Sequence, residues 1–346
     1  MPKPFLTLAN IAAKLGISTT AVSMALRGRP GVSEELRKKV VECAKEHGYQ
    51  PNPVAVELMT WVRSQREAAT DSTPIAFVTS FADPKLLERI YTFNAFLKGA
   101  ARRGSDFGYH VEAFHGREPG MNPARLAQIL KARGVRGVLL GPAWMDEPRV
   151  ELDWKDFSVV MIGEVYLSAN IYRVCNHHVQ SCNLALRQLH ALGYRRIAVA
   201  GVKKYEKSRG HEYLLGVDQF RRDEFPDTEV STWLFNDWDG PAFAKWAKTH
   251  RIDAVVSNDP APWDTVRTLK LPSGEAMGYA NLDVPPGSPW SGINQHSEAI
   301  GETGMELLRQ LLLAGERGTF LHPQIVLIDG TWVDGTTTRK APPAAS

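Results

Sequence analysis

The chain has 346 residues, 43% of them hydrophobic, more apolar material than one compact domain uses, so two or three packed units are expected. No stretch approaches the roughly 20 apolar residues of a membrane helix, and the first ten residues hold no long apolar run, so the expectation is a cytoplasmic protein with no membrane partner. Cys43, Cys175 and Cys182 are too few and too scattered for a disulfide framework. The net charge of +3 divides unevenly: residues 1–66 hold ten Lys and Arg against five Glu, a net +5, and the remainder carries −2. A small basic head on a mildly acidic body suits a chain that meets a polyanion at one end.

In chain order, Thr7 is placed to cap a first helix in which Leu8, Ile11, Ala12 and Leu15 recur at helical spacing, and Gly16 supplies a left-handed stop. Ser18 caps a second helix, with Ala21, Val22, Ala25 and Leu26 inward and Thr19, Thr20, Ser23, Met24 and Arg27 on the other side. Ser33 caps a third, with Glu34 and Glu35 in its first turn and Leu36, Val40, Cys43 and Ala44 on its buried face. Three short helices at this spacing predict a helix-turn-helix unit. Its second helix carries short or cationic donors and no acid, which suits phosphate oxygens and base edges in a major groove. Further on, Asn52 is a natural cap and Pro53 a natural first residue for a short helix through Leu58 and Met59. About two turns of helix are marginal alone, so this segment needs a partner to fold against.

The blocks TLANIAAKLGISTTAVSMAL (7–26), VSEELRKKV (32–40) and GYQPNPVAVEL (48–58) resemble the head and hinge of the LacI/GalR family of repressors, in family order and spacing. The resemblance implies a lambda-repressor-like head that binds double-stranded operator DNA, with the expected contacts at Leu8, Ser18, Thr19, Thr20, Ser23, Met24, Arg27, Ser33, Tyr49, Asn52, Ala55 and Leu58. Among these, Thr19, Thr20 and Ser23 are implied to read bases, and Tyr49 and Asn52 to hold the backbone. Leu58, with small Ala55 beside it, falls where the family wedges a leucine into the minor groove, unstacking a base step and kinking the duplex. Met24 stands where many members carry Arg. Two readings of it stay open, contact with a thymine methyl or no base contact, and Arg27 either supplies the missing cation or belongs to a phosphate-holding loop.

Residues 61–74 read as a polar linker ending in proline. From Ile75 onward, short β-rich runs (75–78, 110–113, 137–140, 159–162, 197–200, 254–257 and 276–279) alternate with helical stretches (86–103, 179–192 and 297–313), the pattern of parallel sheets with crossover helices. The expected class is α/β, divided into a head (1–50), a hinge helix and linker (51–73) and an effector-binding and dimerisation domain (74–346). The resemblance implies that this last part is a periplasmic-binding-protein-like body of two doubly wound parallel-sheet subdomains, breaking within 162–192, and that the molecule is a homodimer. No leucine heptad follows Asp334, which favours a dimer over a tetramer.

Ligands of open α/β sheets sit at the carboxyl ends of strands. The effector candidates are therefore Phe81, Tyr91, Trp144, Glu164, Arg209, Asn258, Asp259, Trp263 and Asn281, with Asn94 and His296 nearby in the pattern. Aromatic walls with a few polar groups suit a sugar or related metabolite. Three departures from the family, Tyr213, Ala280 and the lack of an acid near Cys175 and Asn176, imply a rebuilt pocket or a different ligand. Trp233, Phe235 and Trp238 form an aromatic cluster open to two readings, a ring-stacking site or plain core. Cys175, His177, His178 and Cys182 match no tight zinc spacing, and no nucleophile elbow, P-loop or His-Glu-x-x-His helix is present, so neither metal, cofactor nor catalysis is expected. A free solute-binding protein would share the body without the basic head. The sign of control, induction or corepression, is open at this point.

Overall fold

The computed structural model describes residues 8–26, 32–46, 49, 72–143, 150, 152–163, 170–223 and 225–340. Arg27, Asn52, Ala55, Leu58, Trp144, Glu164 and the whole expected hinge helix lie outside the described residues.

The head consists of α1 (Leu8–Leu15), α2 (Thr19–Leu26) and α3 (Glu34–Glu46). Gly16 between the first two takes φ +65°, the left-handed region a side chain would strain. Ser18 Oγ accepts the Ala21 N–H at 3.1 Å and Ser33 Oγ accepts the Leu36 N–H at 3.3 Å, so each serine caps the helix it precedes. Ile11, Ala12, Val22, Ala25, Val40, Cys43 and Ala44 form the core, with Leu8, Leu15, Leu26, Leu36 and Tyr49 packed around it.

The body has two six-stranded sheets. The first contains β1 (Thr73–Thr79), β2 (Tyr109–His115), β3 (Gly137–Leu140), β4 (Ser158–Ile162), β5 (Tyr172–Asn176) and β11 (Ile325–Ile328), in the order β11-β5-β4-β3-β1-β2. The second contains β6 (Arg196–Val202), β7 (Glu229–Phe235), β8 (Ala254–Ser257), β9 (Gly278–Asn281), β10 (Ser291–Asn294) and β12 (Thr331–Val333), in the order β12-β10-β9-β8-β6-β7. The described pairings are parallel apart from β10 with β12. Each sheet is covered on both faces, and strand alternation divides the apolar side chains accordingly: Ile75 and Phe77 enter one core and Ala76 and Val78 the other. Ile197 and Val199 separate from Ala198 and Ala200 in the same way.

The crossover helices are α4 (Leu86–Arg89), α5 (Tyr91–Asp106) and α6 (Pro123–Ala132) in the first lobe, and α7 (His178–Ala191), α8 (Lys203–Ser208), α9 (Glu212–Arg222), α10 (Gly240–Thr249) and α11 (Ala261–Val266) in the second. The last, α12 (Ser297–Ala314), returns to the first lobe and packs along α5. A Cβ at Gly99 would sit on the Glu298 carbonyl, and one at Gly301 on the Phe96 carbonyl, so both glycines are required for this close approach. The sequence predicts a single helix over 86–103. The structure breaks it at Ile90, whose ψ of 112° is extended and starts a new helix at Tyr91. Five strands escaped the sequence pattern: β5 and β10 are polar, β7 mixes Thr and Trp, β11 is a half-exposed edge and β12 has three residues.

The chain crosses between the lobes three times, from β5 to α7, from β10 to α12 and from β11 to β12. These crossings are tied together. Asn176 Nδ2 donates to the Ile328 carbonyl at 3.1 Å, and Asn176 Oδ1 accepts from the Ser181 hydroxyl at 2.9 Å. His177 meets Asp329 at 2.8 Å, and His296 meets Thr331 at 2.9 Å. The three crossing segments are thus bound side by side at the junction of the lobes, the kind of place about which domains hinge.

Candidate functional site: a basic head and an interlobe cleft

On the head, Thr19 lies exposed at the start of α2, and Ser23 and Met24 are half-buried along it. Thr20 belongs to the same helix. Ser18 and Ser33 are exposed helix caps at the head surface, whereas Leu8 and Tyr49 pack against its core and present only part of their surface. The first turn of α2 holds no acid, so apart from the Ala21 N–H, which Ser18 Oγ accepts, no carboxylate of the helix offsets the positive end of its dipole.

In the body, the order of the second sheet reverses beside β6, and the ends of β6 and β8 therefore open the crevice where such sheets take ligands. Both α8 and α9 follow β6 there. Arg209 closes α8, with its guanidinium carbon 5.6 Å from the Tyr205 ring centre and 6.0 Å from that of Tyr213. Its charge acts on His178, Glu206, Glu212, Tyr213 and Asp283. His178, at the start of α7, packs its ring 5.0 Å from Tyr213. Gln295 donates to the Tyr213 hydroxyl at 3.4 Å and to the Leu282 carbonyl at 2.6 Å. From the opposite lobe, the Thr92 hydroxyl on α5 donates to the Asp283 carboxylate, which joins the two lobes across the cleft.

Burial sets the protonation of this cluster. It pushes Glu212 up to about 7, against the pull of Arg209 and with further help from Glu206. Glu206 is raised by burial too, opposed by the Leu214 N–H and by Arg209. Burial raises Asp283, while the Thr92 bond and Arg209 work the other way. His178 is held well below its ordinary value by burial and by the charges of Arg209 and His177, and stays neutral. Three buried atoms here find no partner: His178 Nδ1, Glu206 Oε2 and Glu212 Oε2.

The sequence candidates divide. Arg209 stands at the centre of the cluster. Tyr91 and Asn94 instead line a separate cavity of about 290 Å³ with Glu88, Arg89, Ala95, Lys98 and Glu298. Phe81 is completely buried and stacks on Phe93 at 5.1 Å, so its surface belongs to the first lobe's core. Asp259 Oδ1 accepts the Ala261 N–H at 2.8 Å, and its carbonyl accepts from the Tyr279 hydroxyl at 3.2 Å. Asn281 donates to that hydroxyl at 3.2 Å and accepts the Asp283 N–H at 2.8 Å. Trp263 packs on Tyr279 and Trp290. These polar groups shape the loops after β8 and β9, and Asn258 is half-buried beside them. Of the aromatic cluster, Phe235 belongs to the second lobe's core with Trp233 and Trp238 packed on it, and Trp238 Nε1 donates to Thr265 Oγ1 at 3.0 Å.

Glu206, Glu212 and Asp283 were not among the sequence candidates, and His178 entered the sequence reading only as part of a rejected zinc pattern. The available signal was the charge-dense run KKYEKSRGHEY directly after a buried strand. Cys175 and Cys182 are wholly buried thiols, and among the described residues no three His, Cys, Asp or Glu side chains stand close enough to hold a metal ion. Among the described residues, no helix is long and apolar enough to cross a membrane.

A helix-turn-helix head in front of a two-lobed, periplasmic-binding-protein-like body defines a class of DNA-binding transcriptional regulators. Residues 7–52 match the family model for bacterial regulatory proteins of the lacI family. The HTH-type transcriptional regulator CelR of Thermobifida fusca is 28% identical over 324 residues, covering 87% of this chain and 90% of that protein. A CelR–cellobiose complex superposes with a TM-score of 0.54 at 22% identity, covering 96% of this chain and 99% of the other. The lac repressor dimer bound to operator and the anti-inducer ONPF superposes with a TM-score of 0.56 at 20% identity, covering 97% of this chain and 100% of the other. Head and body together are similar to transcriptional regulators of the lacI family, with the family model itself matching the head.

Proposed function

We propose that this protein is a cytoplasmic, homodimeric repressor that binds a near-palindromic operator and is controlled by a sugar-class effector held between the lobes of its body. The observation that carries the reading is the junction of a helix-turn-helix head with two lobes joined by three hinge crossings and facing each other over a polar, partly unpartnered cleft. The relatives agree in kind, since one solved neighbour holds cellobiose and another is a dimer on its operator. No catalytic, metal or cofactor role is assigned.

In this mechanism α2 enters the major groove with Thr19, Thr20, Ser23 and Met24 toward base edges, Ser18, Ser33 and Tyr49 sit near the backbone, and Leu58 with Ala55 and Asn52 acts at the central minor groove. Arg27 adds cationic attraction. An effector at Arg209 changes the balance between open and closed lobes because it contacts both, and the rotation is passed to the segment that precedes β1. Asn258, Asp259, Trp263 and Asn281 shape the loops on the second lobe's side of that cleft, and Trp144 and Glu164 are carried as effector candidates on sequence alone.

Selection of bound duplexes from a random pool with the full-length protein tests the reading. Enrichment of a near-palindrome with a flexible central step, released by a member of a carbohydrate panel, is the expected result. Binding without sequence preference would overturn it.

A further inference from the structure

We propose that the effector carries a protonated amine, which docks on the carboxylates of Glu206 and Glu212 in the interlobe cleft. The inference deepens the sugar-class reading above and rests on it.

Glu206 and Glu212 are 2% and 8% exposed and His178 is 5% exposed, and each has a side-chain atom sealed from solvent with no hydrogen-bond partner. A buried polar atom left unpaired costs free energy that a ligand recovers by supplying the missing partner. The two acids feel each other's charge, and with Asp283 they share the Arg209 guanidinium, with His211 acting on Glu206 as well. The cleft is therefore an acceptor-rich, electronegative place in need of donors and of positive charge. A neutral hydroxyl brings one donor, whereas an ammonium brings three and a full charge, making charge-assisted bonds to carboxylates. An organic cation fits better than a metal ion, because among the described residues no three ligand-type side chains converge tightly enough to hold one. Neutral His178 completes the site with an unpartnered ring nitrogen for a neighbouring hydroxyl. Glu212, raised to about 7, is partly protonated near neutral pH when the cleft is empty, so arrival of the ammonium ionises it and expels a proton; burial raises Glu206 in the same direction.

The test is calorimetric titration of the full-length protein near pH 7 with matched pairs: D-glucosamine against D-glucose and N-acetyl-D-glucosamine, and the β-1,4-linked glucosamine disaccharide against cellobiose. Repetition in buffers of different ionisation enthalpy counts the protons released. We expect at least one amine to bind tenfold or more tightly than its neutral counterparts, with net proton release, and Glu206→Gln and Glu212→Gln each to erase that preference without unfolding the protein. If the neutral members bind as well as the amines and release DNA, the inference fails while the sugar-class reading stands. If no carbohydrate of either kind binds, both fail. A preference that survives in both variants, and in Asp283→Asn, would also overturn it.

Discussion

Glu212 offers a quantitative check on the cleft that needs no ligand. Its carboxyl is raised from an ordinary 4.5 to about 7, mainly by burial. A folded-state value above the unfolded one means that the folded protein binds the proton more tightly. Stability is unaffected by this group below about pH 4.5, where both states are protonated, and falls as pH rises toward 7, where the folded state must bury a charge. At about 1.4 kcal/mol per pH unit, the shift corresponds to a cost on the order of 3 kcal/mol above pH 7. Glu212→Gln keeps the shape and mimics the protonated form. It should leave stability near wild type at pH 4.5 and raise it by about 2 to 3 kcal/mol at pH 8, or roughly 3 to 5 °C in melting temperature for a body of this size. Residues 1–50 contain no tryptophan, so thermal melting followed by tryptophan fluorescence reports the body separately from the head. A gain independent of pH, or a loss at pH 8, would refute the placement of Glu212 as a buried, underpaired acid.

Other perturbations test the remaining parts. Gly301→Ala puts a methyl group on the Phe96 carbonyl and should cost about 1 to 3 kcal/mol in denaturant titration; a neutral result would mean that α5 and α12 do not meet this closely. Asp259→Ala removes the acceptor for the Ala261 N–H and should cost about 1 kcal/mol, measured in the same way, if its main task is to start α11. Thr92→Val breaks the bond to Asp283 across the cleft and should shift the lobes toward the open form, seen as a larger radius of gyration in small-angle scattering; an unchanged radius would deny that bond a role in closure. Leu58→Ala should lose specific affinity and DNA bending while retaining salt-sensitive nonspecific binding, and undiminished bending in a gel-phasing assay would rule out the wedge.

The head was legible because its determinants are local. Ser18 and Ser33 cap the helices they precede, Gly16 turns left-handed between them, and the apolar residues at helical spacing meet in one small core. A helix needs only its own residues and caps to announce itself. The short, wholly buried and mostly apolar strands β3, β4 and β8 were equally plain, whereas β5, β10 and β12 exist because neighbours from distant parts of the chain supply their hydrogen bonds.

The cleft was legible in outline alone. Strand ends pointed to the crevice beside β6, and Arg209 lies among the charged side chains that gather there. Phe81, Asp259 and Asn281 had the right residue types at strand ends, but packing and loop hydrogen bonds commit their side chains to the protein itself. Glu206 and Glu212 look in sequence like solvated charges on short helices. Tertiary structure alone decides otherwise, because folding α8 and α9 against α7 removes water from their carboxylates and leaves each with an oxygen that no other side chain reaches. Sequence thus determined the helices of the head and the most apolar strands of the body, and that one end carries a basic helix-turn-helix unit, since those follow from local periodicity, capping and charge. Which acids lose their solvent depends on contacts between segments far apart in the chain, which local periodicity and capping do not carry.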